Sequence, residues 1–503
     1  MPEISNLTPI QVIGVGLAVG VLYIVGQSIY RLFFHPLSKF PGPKIAAVSE
    51  AWWAWALLSG RQPFHILDAH RKHGDIVRIA PNELSFASPQ SYQDIYGHVS
   101  KGRGRFLKTE FYDNGPPRIV SARDPEVHAR QRKALSHAFS AKALRGQETI
   151  VHQYVDLFVE QLSRLGNAGK KAIDASEAYN WVTFDIIGDL AFGESFNAVS
   201  DGKTNSWIAI IFDGVAAMMI SAARKRLAVV KYLEPWLVAP KSADKLATHV
   251  RLSKDKARKR IQMGGDSRRD VEDFFGHMIR KGTITEQEMT DQARTLIIAG
   301  SETTATTLSG LTWYLLRNPE CLAKLQHEVR STFSSFDEIT GDSTASLKYL
   351  HGVIEEGLRM FPAVSTALPR YSPGAVIDGH YVPAGVIVSN SGYSMTRDSR
   401  YWHDPTAFRP ERWIDENFQD ELRASQPFST GPRACLGINL AYLELRIILA
   451  KVAFTYDLEL ESKHLENWNE SCQSAFLWKR PELFVKFVPF KPIKNHDNIE
   501  IVA

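Results

Sequence analysis

Apolar residues run almost unbroken from Ile10 to Ile29, and no Asp, Glu, Lys or Arg lies between Ile4 and Tyr30. As a helix this stretch covers roughly 30 Å of hydrocarbon, so it is expected to be a transmembrane anchor. A cleaved signal peptide would bring a basic leader and a small-residue cleavage pattern, whereas Glu3 is the one charged side chain ahead of the run. After the anchor, apolar positions recur three and four apart, the helical period. That spacing predicts helices over Ala141 to Leu165, Ala178 to Phe192, Ser206 to Arg226 and Ser242 to Met263. A longer helix runs from the capping box at Thr285 and Glu288 to the stop at Asn318 and Pro319, and two more surround Glu356 and Leu445. Strand-like runs are short: Ile76 to Ile79, Leu84 to Ala87, Ala375 to Ile377, Val386 to Ser389 and Phe484 to Phe490. Tyr232 to Val238 reads as an amphipathic loop between two helices. The expected fold class is mainly α with a small β-sheet (α+β), preceded by one transmembrane helix.

A chain of 503 residues with 44% hydrophobic and 23% charged content can bury a large core. No repeat, low-complexity tract or flexible linker divides it. The expected organisation is a short N-terminus over 1–9, the anchor over 10–30, a stiff proline-rich hinge over 31–44 and one domain over 45–503. Arg31, Lys39 and Lys44 follow the span, so the positive-inside rule places the large domain in the cytosol and residues 1–9 in the lumen. The glycosylation sequon Asn6, Leu7, Thr8 would face the lumen close to the bilayer. Gly14, Gly16 and Gly20 lie inside the span with no strand before them, which excludes a dinucleotide loop. Cys321, Cys435 and Cys472 are too scattered for a disulfide framework and suit a reducing compartment. Net charge is +4. The densest basic run, Lys254 to Arg260 with Arg268 and Arg269, reads as a solvated helix face, with anionic lipid or an acidic partner as the alternatives. No interleaved aromatic pattern supports nucleic-acid binding.

Chemistry concentrates around Cys435, in the run Phe428, Ser429, Thr430, Gly431, Pro432, Arg433, Ala434, Cys435, Leu436, Gly437. A cysteine that holds the iron of a haem needs a deprotonated sulfur on a tight loop with amides and positive charge nearby. Gly431 and Gly437 permit turn geometry and close approach to a flat macrocycle, Pro432 stiffens the loop, and Arg433 offers a cation to a carboxylate. The apolar stretch from Leu440 to Ile448 predicts a helix whose positive end favours the thiolate. An isolated cysteine is more often a buried small hydrophobe, but FxxGxRxCxG sets several positions besides the thiol. On the long helix, Ala299, Gly300, Ser301, Glu302, Thr303 and Thr304 stand together. Leu296, Gly300, Thr303 and Thr307 share one face, where Gly300 leaves room for a diatomic ligand. A Glu among threonines is otherwise a solvated helix face, and an isolated Glu356–Arg359 pair contributes only about 0.2–0.5 kcal/mol.

These motifs resemble the cytochrome P-450 superfamily, and the likeness extends over nearly all of the chain after its first forty or so residues. The resemblance implies a helical haem-thiolate fold with Cys435 as metal ligand and haem b as cofactor. It implies proton relay during oxygen activation by Glu302 and Thr303, with Ala299 and Gly300 beside the haem. Glu356 and Arg359 would form a buried triad with Arg412 of Phe408, Arg409, Pro410, Glu411, Arg412, Trp413. Many relatives have Trp where this chain has His128. Both donate hydrogen bonds, so His128 joins Arg132, Arg370 and Arg433 as a candidate propionate ligand, while Arg130 and Lys133 read as solvated. Phe428, Gly431 and Gly437 complete the cofactor-binding set.

The expected activity is insertion of one oxygen atom of dioxygen into a hydrophobic small molecule. No flavin or nicotinamide site is recognisable, so the resemblance implies electrons from an NADPH-dependent flavoprotein reductase, with cytochrome b5 as a further partner. Location in the endoplasmic reticulum membrane follows from the anchor and the family. Phe106, Phe111, Tyr112, Ala299, Val364, Ala367, Phe476 and Leu477 are candidate pocket residues, each equally compatible with ordinary core. YGHVSKGRGRF, HARQRKALSHAFS and FFHPLSKFPGPK resemble filamentous-fungal members of natural-product pathways, which suggests a terpenoid, polyketide or alkaloid intermediate. Desaturation or oxidative ring formation, and a membrane haem-binding protein without turnover, are the rival functions.

Overall fold

The structure, a computed structural model, describes residues 8–99, 104–204, 206–237, 242–264, 273–462 and 466–491. Glu3, Asn6 of the sequon, Val238, Arg268 and Arg269 lie outside the described residues.

Helix α1 (Pro9–Ile29) opens with a capping box in which Thr8 accepts from the Gln11 amide. Together with the π-helical turn Tyr30–Phe34 it makes one apolar helix long enough to cross a membrane, with mean hydropathy 2.0 and no buried residue. The following segment was expected to be a hinge, but it is packed down. Leu37 and Phe40 join a buried cluster with Leu84, Phe86 and Trp402. The Arg78 amide bonds the Pro41 carbonyl at 2.7 Å, and the Arg78 guanidinium bonds the Arg31 carbonyl at 2.7 Å. Apolar side chains between Pro36 and Pro41 bind the segment to the sheet.

That sheet has five strands in the order β1 (Ile76–Ala80), β2 (Glu83–Phe86), β8 (Ile387–Asn390), β5 (Arg370–Tyr371) and β3 (Leu107–Lys108). β2 pairs with β8 in parallel, and the other neighbours are antiparallel. Helix α2 (Pro89–Tyr96) packs beside it. The smaller sheets pair β6 (Ala375–Ile377) with β7 (His380–Val382), join β4 (Ile173–Asp174), β12 (Phe484–Pro489) and β9 (Tyr456–Leu460), and pair β10 (Gln473–Ala475) with β11 (Leu477–Lys479). The single small sheet of the sequence reading is thus several. β3 and β5 were not anticipated because two residues carry no alternation signal.

Most of the mass is helical. α3 (Pro125–Ser136) is capped by Asp124, whose carboxylate accepts from the Glu126 and Val127 amides at 2.7 and 3.1 Å. Then follow α4 (Ala141–Leu165), α5 (Ala175–Phe192), α6 (Ser206–Arg226), α7 (Val230–Leu237) and α8 (Ser242–Gln262). α7 replaces the expected loop: Leu233, Trp236 and Leu237 recur at helical spacing, which a window centred on Pro235 obscures. Helix α9 (Glu286–Arg317) crosses the main core and packs along α5, which is buried at nearly every position. Its N-terminal capping box is formed as the sequence indicates, by Thr285 and Glu288. α10 (Lys348–Met360) and α11 (Ile438–Thr455) complete the core.

Behind the core, the fully buried Glu356 collects polar groups from distant segments. Arg359 binds both its oxygens at 2.7 and 2.8 Å, Arg412 reaches Oε1 at 3.1 Å, and the Trp413 indole donates to Oε2 at 2.9 Å. The Arg409 amide adds a contact at 2.9 Å, and Arg359 also bonds the carbonyls of Thr396, Pro405 and Ala407. Glu356→Ala would leave the buried Arg359 guanidinium without a carboxylate and Arg412 with Asp420 alone, so a loss of about 3–5 kcal/mol is expected in denaturant unfolding. Glu356→Gln should lose less, since it keeps acceptor contacts.

Candidate functional site

A cavity of about 700 Å3 opens between α9, α11, the loop before α3 and the Cys435 loop. Its floor is built by local backbone chemistry. The Cys435 amide bonds the Phe428 carbonyl at 2.7 Å, closing the loop, while Ser429 and Gly431 take φ values of 59° and 71°. A Cβ on Gly431 would lie 2.2 Å from the Tyr96 carbonyl oxygen, so only glycine lets the loop seat against the end of α2. Gly431 itself does not line the cavity, so its contribution is to the loop and not to a ligand surface. Gly437 lies in the turn that leads into α11, with an ordinary φ of −88° and no close neighbour on the missing side chain. It caps α11 and leaves its stretch of cavity wall bare.

The Cys435 thiol is exposed on this wall. The surrounding protein pushes its pKa up, and two features oppose that: the Gly437 amide, at the positive end of α11, and the Arg132 cation. Arg132 is held over the loop by a 2.7 Å bond to the Ala434 carbonyl. Phe428 also lines the wall and packs against Tyr442, the rings tilted by 44° with centroids 5.2 Å apart.

Positive charge gathers at the same end. Arg370, on β5, lies between the rings of Tyr96 and Tyr112 at 5.6 and 5.4 Å, with Nη1 buried and unpaired. Arg433 bonds the carbonyls of Ala122 and Arg123 at 2.7 and 3.1 Å, and burial together with Arg370 lowers its pKa to about 10. Lys108, on β3 and not anticipated from the sequence, bonds the Val120 carbonyl. Burial first, then Arg370 and Arg433, drive its pKa well down. His128 is buried, and desolvation followed by Arg433, Lys108, Arg132 and Arg370 lowers its pKa to about 3, so the ring is neutral. Among the described residues none of Lys108, Arg132, Arg370 and Arg433 forms an ion pair with a carboxylate, although Asp124 acts on Arg433. One thiol, bare backbone at Gly437 and a cluster of donors lacking acid partners fit a flat macrocycle that carries two carboxylates. No sequence signal marks Lys108, because its neighbour Arg370 is brought to it only by strand pairing.

Above the thiol runs α9. Leu296, Ala299, Gly300, Thr303 and Thr307 all line the cavity, as their spacing requires. Gly300 has a further reason to be glycine: a Cβ there would sit 2.5 Å from Ile187 of α5, so close helix approach also demands it. The Thr303 hydroxyl donates to the Ala299 carbonyl at 2.6 Å, and Thr307 bonds the Thr303 carbonyl at 3.1 Å.

Glu302 lies elsewhere. Successive helical residues point about 100° apart, and this side chain is fully buried away from the cavity, with Oε2 3.5 Å from Arg480. Arg480 also holds Asn180 and Ser309 at 2.9 and 2.8 Å. Burial raises the Glu302 pKa to about 7 against the attraction of Arg480, and Oε1 has no hydrogen-bond partner. Direct hand-over between Glu302 and Thr303 is therefore not built into this arrangement. A second acid, Glu444 of α11, does line the cavity. Burial lifts its pKa to about 8, opposed by the Thr304 hydroxyl.

Much of the remaining wall is apolar. Phe111, Tyr112, Val364, Ala367, Phe476 and Leu477 line it as expected. Phe106 does not, and packs against the cluster of Leu84, Phe86 and Tyr96.

The comparisons agree with this geometry. A model of the cytochrome P450 family matches residues 47–487. The chain is 43% identical to cytochrome P450 monooxygenase BOA3 of Botryotinia fuckeliana, over 94% of this chain and 96% of that one. It is 38% identical to cytochrome P450 monooxygenase btcC of Colletotrichum orbiculare, over 98% of each, and 39% identical to averantin hydroxylase of Dothistroma septosporum, over 94% and 91%. A thiol on a closed loop, acid-free cations beside it and a threonine-bearing helix above it thus coincide with full-length likeness, and the chain belongs to the cytochrome P450 family of haem-thiolate monooxygenases.

Proposed function

We propose that this chain is a single-pass protein of the endoplasmic reticulum membrane whose cytosolic domain hydroxylates an apolar intermediate of fungal secondary metabolism. The substrate would be a terpenoid, polyketide or alkaloid, and electrons would come from an NADPH-dependent flavoprotein reductase, with cytochrome b5 as a second donor. The observation that carries this is the exposed Cys435 thiol on the floor of a large, mostly apolar cavity, beneath Thr303. Fungal monooxygenase relatives, one of them named a hydroxylase, support the substrate class and reaction. The apolar helix Pro9–Phe34 supports the anchor.

Cys435 would hold haem b, with Lys108, His128, Arg132, Arg370 and Arg433 as donors to its carboxylates and Gly437, Ala299 and Gly300 against its faces. Bound there, haem supplies oxygen activation driven by two electrons and two protons. The chain's own residues do the rest. Arg132 and the Gly437 amide favour the thiolate form of Cys435. Thr303 presents a hydroxyl at the cavity wall and holds a proton there in a hydrogen bond to Ala299. Glu302 stores a proton behind α9 and delivers it by swinging away from Arg480, a motion that its elevated pKa assists because the neutral acid is held less firmly. The apolar wall excludes bulk water and orients the substrate by shape.

Cys435→Ser should abolish the thiolate-type absorption of the reduced carbon monoxide complex, and a retained band would remove the proposed ligand. Thr303→Ala should lower product formed per NADPH by about a hundredfold, the small end of a positioned proton donor's contribution, with peroxide released in its place. Unchanged coupling would count against the relay. With Glu302 neutral below about pH 7 and anionic above it, coupling should fall as pH rises through that value. Glu302→Gln should flatten the profile, as read from product and NADPH measured together across the range.

A further inference from the structure

Part of the cavity wall departs from the apolar pattern. Where the segment before α3 meets α6, α8 and the first half of α9, the lining carries Asn114, Arg118, His249 and Arg294. Arg294 precedes Thr303 by nine positions on α9, roughly 13 Å along the helix axis.

These groups are donors in excess of acceptors. Arg118 is 6% exposed, and its Nη2 bonds the Asn114 side chain while Nε has no acceptor. Arg294 bonds the Asn114 carbonyl at 3.1 Å. Burial and the neighbouring Arg294 lower the Arg118 pKa to about 10, so the two guanidiniums repel across a desolvated space. Among the described residues Asp291 is the one carboxylate acting on either. It is already occupied by Lys254 at 3.1 Å and Gln287 at 2.9 Å. His249 is 1% exposed and accepts from the Trp207 indole at Nδ1, 2.7 Å away, so the neutral ring carries its hydrogen on Nε2. That Nε2–H approaches the Arg294 main chain without reaching hydrogen-bond geometry. Buried cations and donors without acid partners are costly, and an anionic ligand group removes the cost.

We propose that this lobe binds a carboxylate of the substrate, so that the substrate is an amphipathic organic acid held by Arg118 and Arg294 with its apolar skeleton lying along α9 toward Thr303 and Cys435. The proposal rests on the monooxygenase function above and narrows its substrate class. Arg118 and Arg294 act as specificity-determining residues, and they set which carbon reaches the thiol end of the cavity by fixing the opposite end of the molecule.

The test uses the full-length haem-loaded enzyme, checked first for the thiolate-type carbon monoxide spectrum. It is titrated with ω-(imidazol-1-yl)alkanoic acids of increasing chain length and with their methyl esters. Imidazole ligates haem iron and shifts its absorption, so every probe reports its own affinity. At the chain length that spans the cavity, the acid should bind about ten- to a hundredfold more tightly than its ester. Arg294→Gln and Arg118→Gln should each bring that ratio close to one while leaving short probes unaffected. If Arg118→Gln does not retain haem, Arg294→Gln decides alone. Acid and ester affinities within about twofold at every length, or an acid preference that survives Arg294→Gln, would overturn the proposal. A missing thiolate spectrum would overturn the monooxygenase function and the proposal with it, which separates the two failures.

Discussion

One buried carboxylate organises the side of the protein behind the cavity. Glu356 accepts from Arg359, Arg412, Trp413 and the Arg409 amide at once, and none of these charged groups reaches solvent. Because both guanidiniums also bond carbonyls between Thr396 and Ala407, and Arg412 the Asp420 carboxylate as well, α10 is tied to a stretch of irregular backbone that has no ladder of its own. Such a network is worth little as a set of isolated ion pairs. Its value lies in geometry, since desolvated charges that satisfy one another tolerate few alternative arrangements.

The cavity uses the opposite arrangement. Among the described residues Lys108, Arg132, Arg370 and Arg433 converge without an ion-paired acid, and burial first, then that crowding, lowers the pKa values of Lys108, Arg433 and His128. Here unbalanced charge marks a surface prepared for an anion. The same principle distinguishes Arg118 and Arg294, where cations meet in a desolvated space with a single shared acid. Between those regions the wall is apolar, so polarity is confined to places where a ligand's own polar groups belong.

Glu302 illustrates how a motif becomes more specific when folded. As a string it is the acid next to Thr303. In the protein the two residues face different sides of α9, and Arg480, from beyond β11, meets the carboxylate in the core. On the proposed role, proton delivery would involve a conformational step as well as chemistry, with the neutral acid, held less firmly by Arg480, as the form that moves.

Much of the architecture follows from the sequence alone. Helical periodicity located α4 and α6, and the Thr285 to Glu288 capping box located the start of α9, because these signals are local. The FxxGxRxCxG run identified the thiol for the same reason: a tight loop constrains neighbours in the chain. Local patterns could not place Lys108 beside Arg370, bring Arg480 to Glu302, or join Arg118 to Arg294 and His249. Nor could they show that the missing side chain of Gly300 also makes room for Ile187 on another helix. Each of these depends on segments far apart in the chain packing against one another. The strength of such contacts is set by mutual burial and charge, quantities that exist only once the chain has folded.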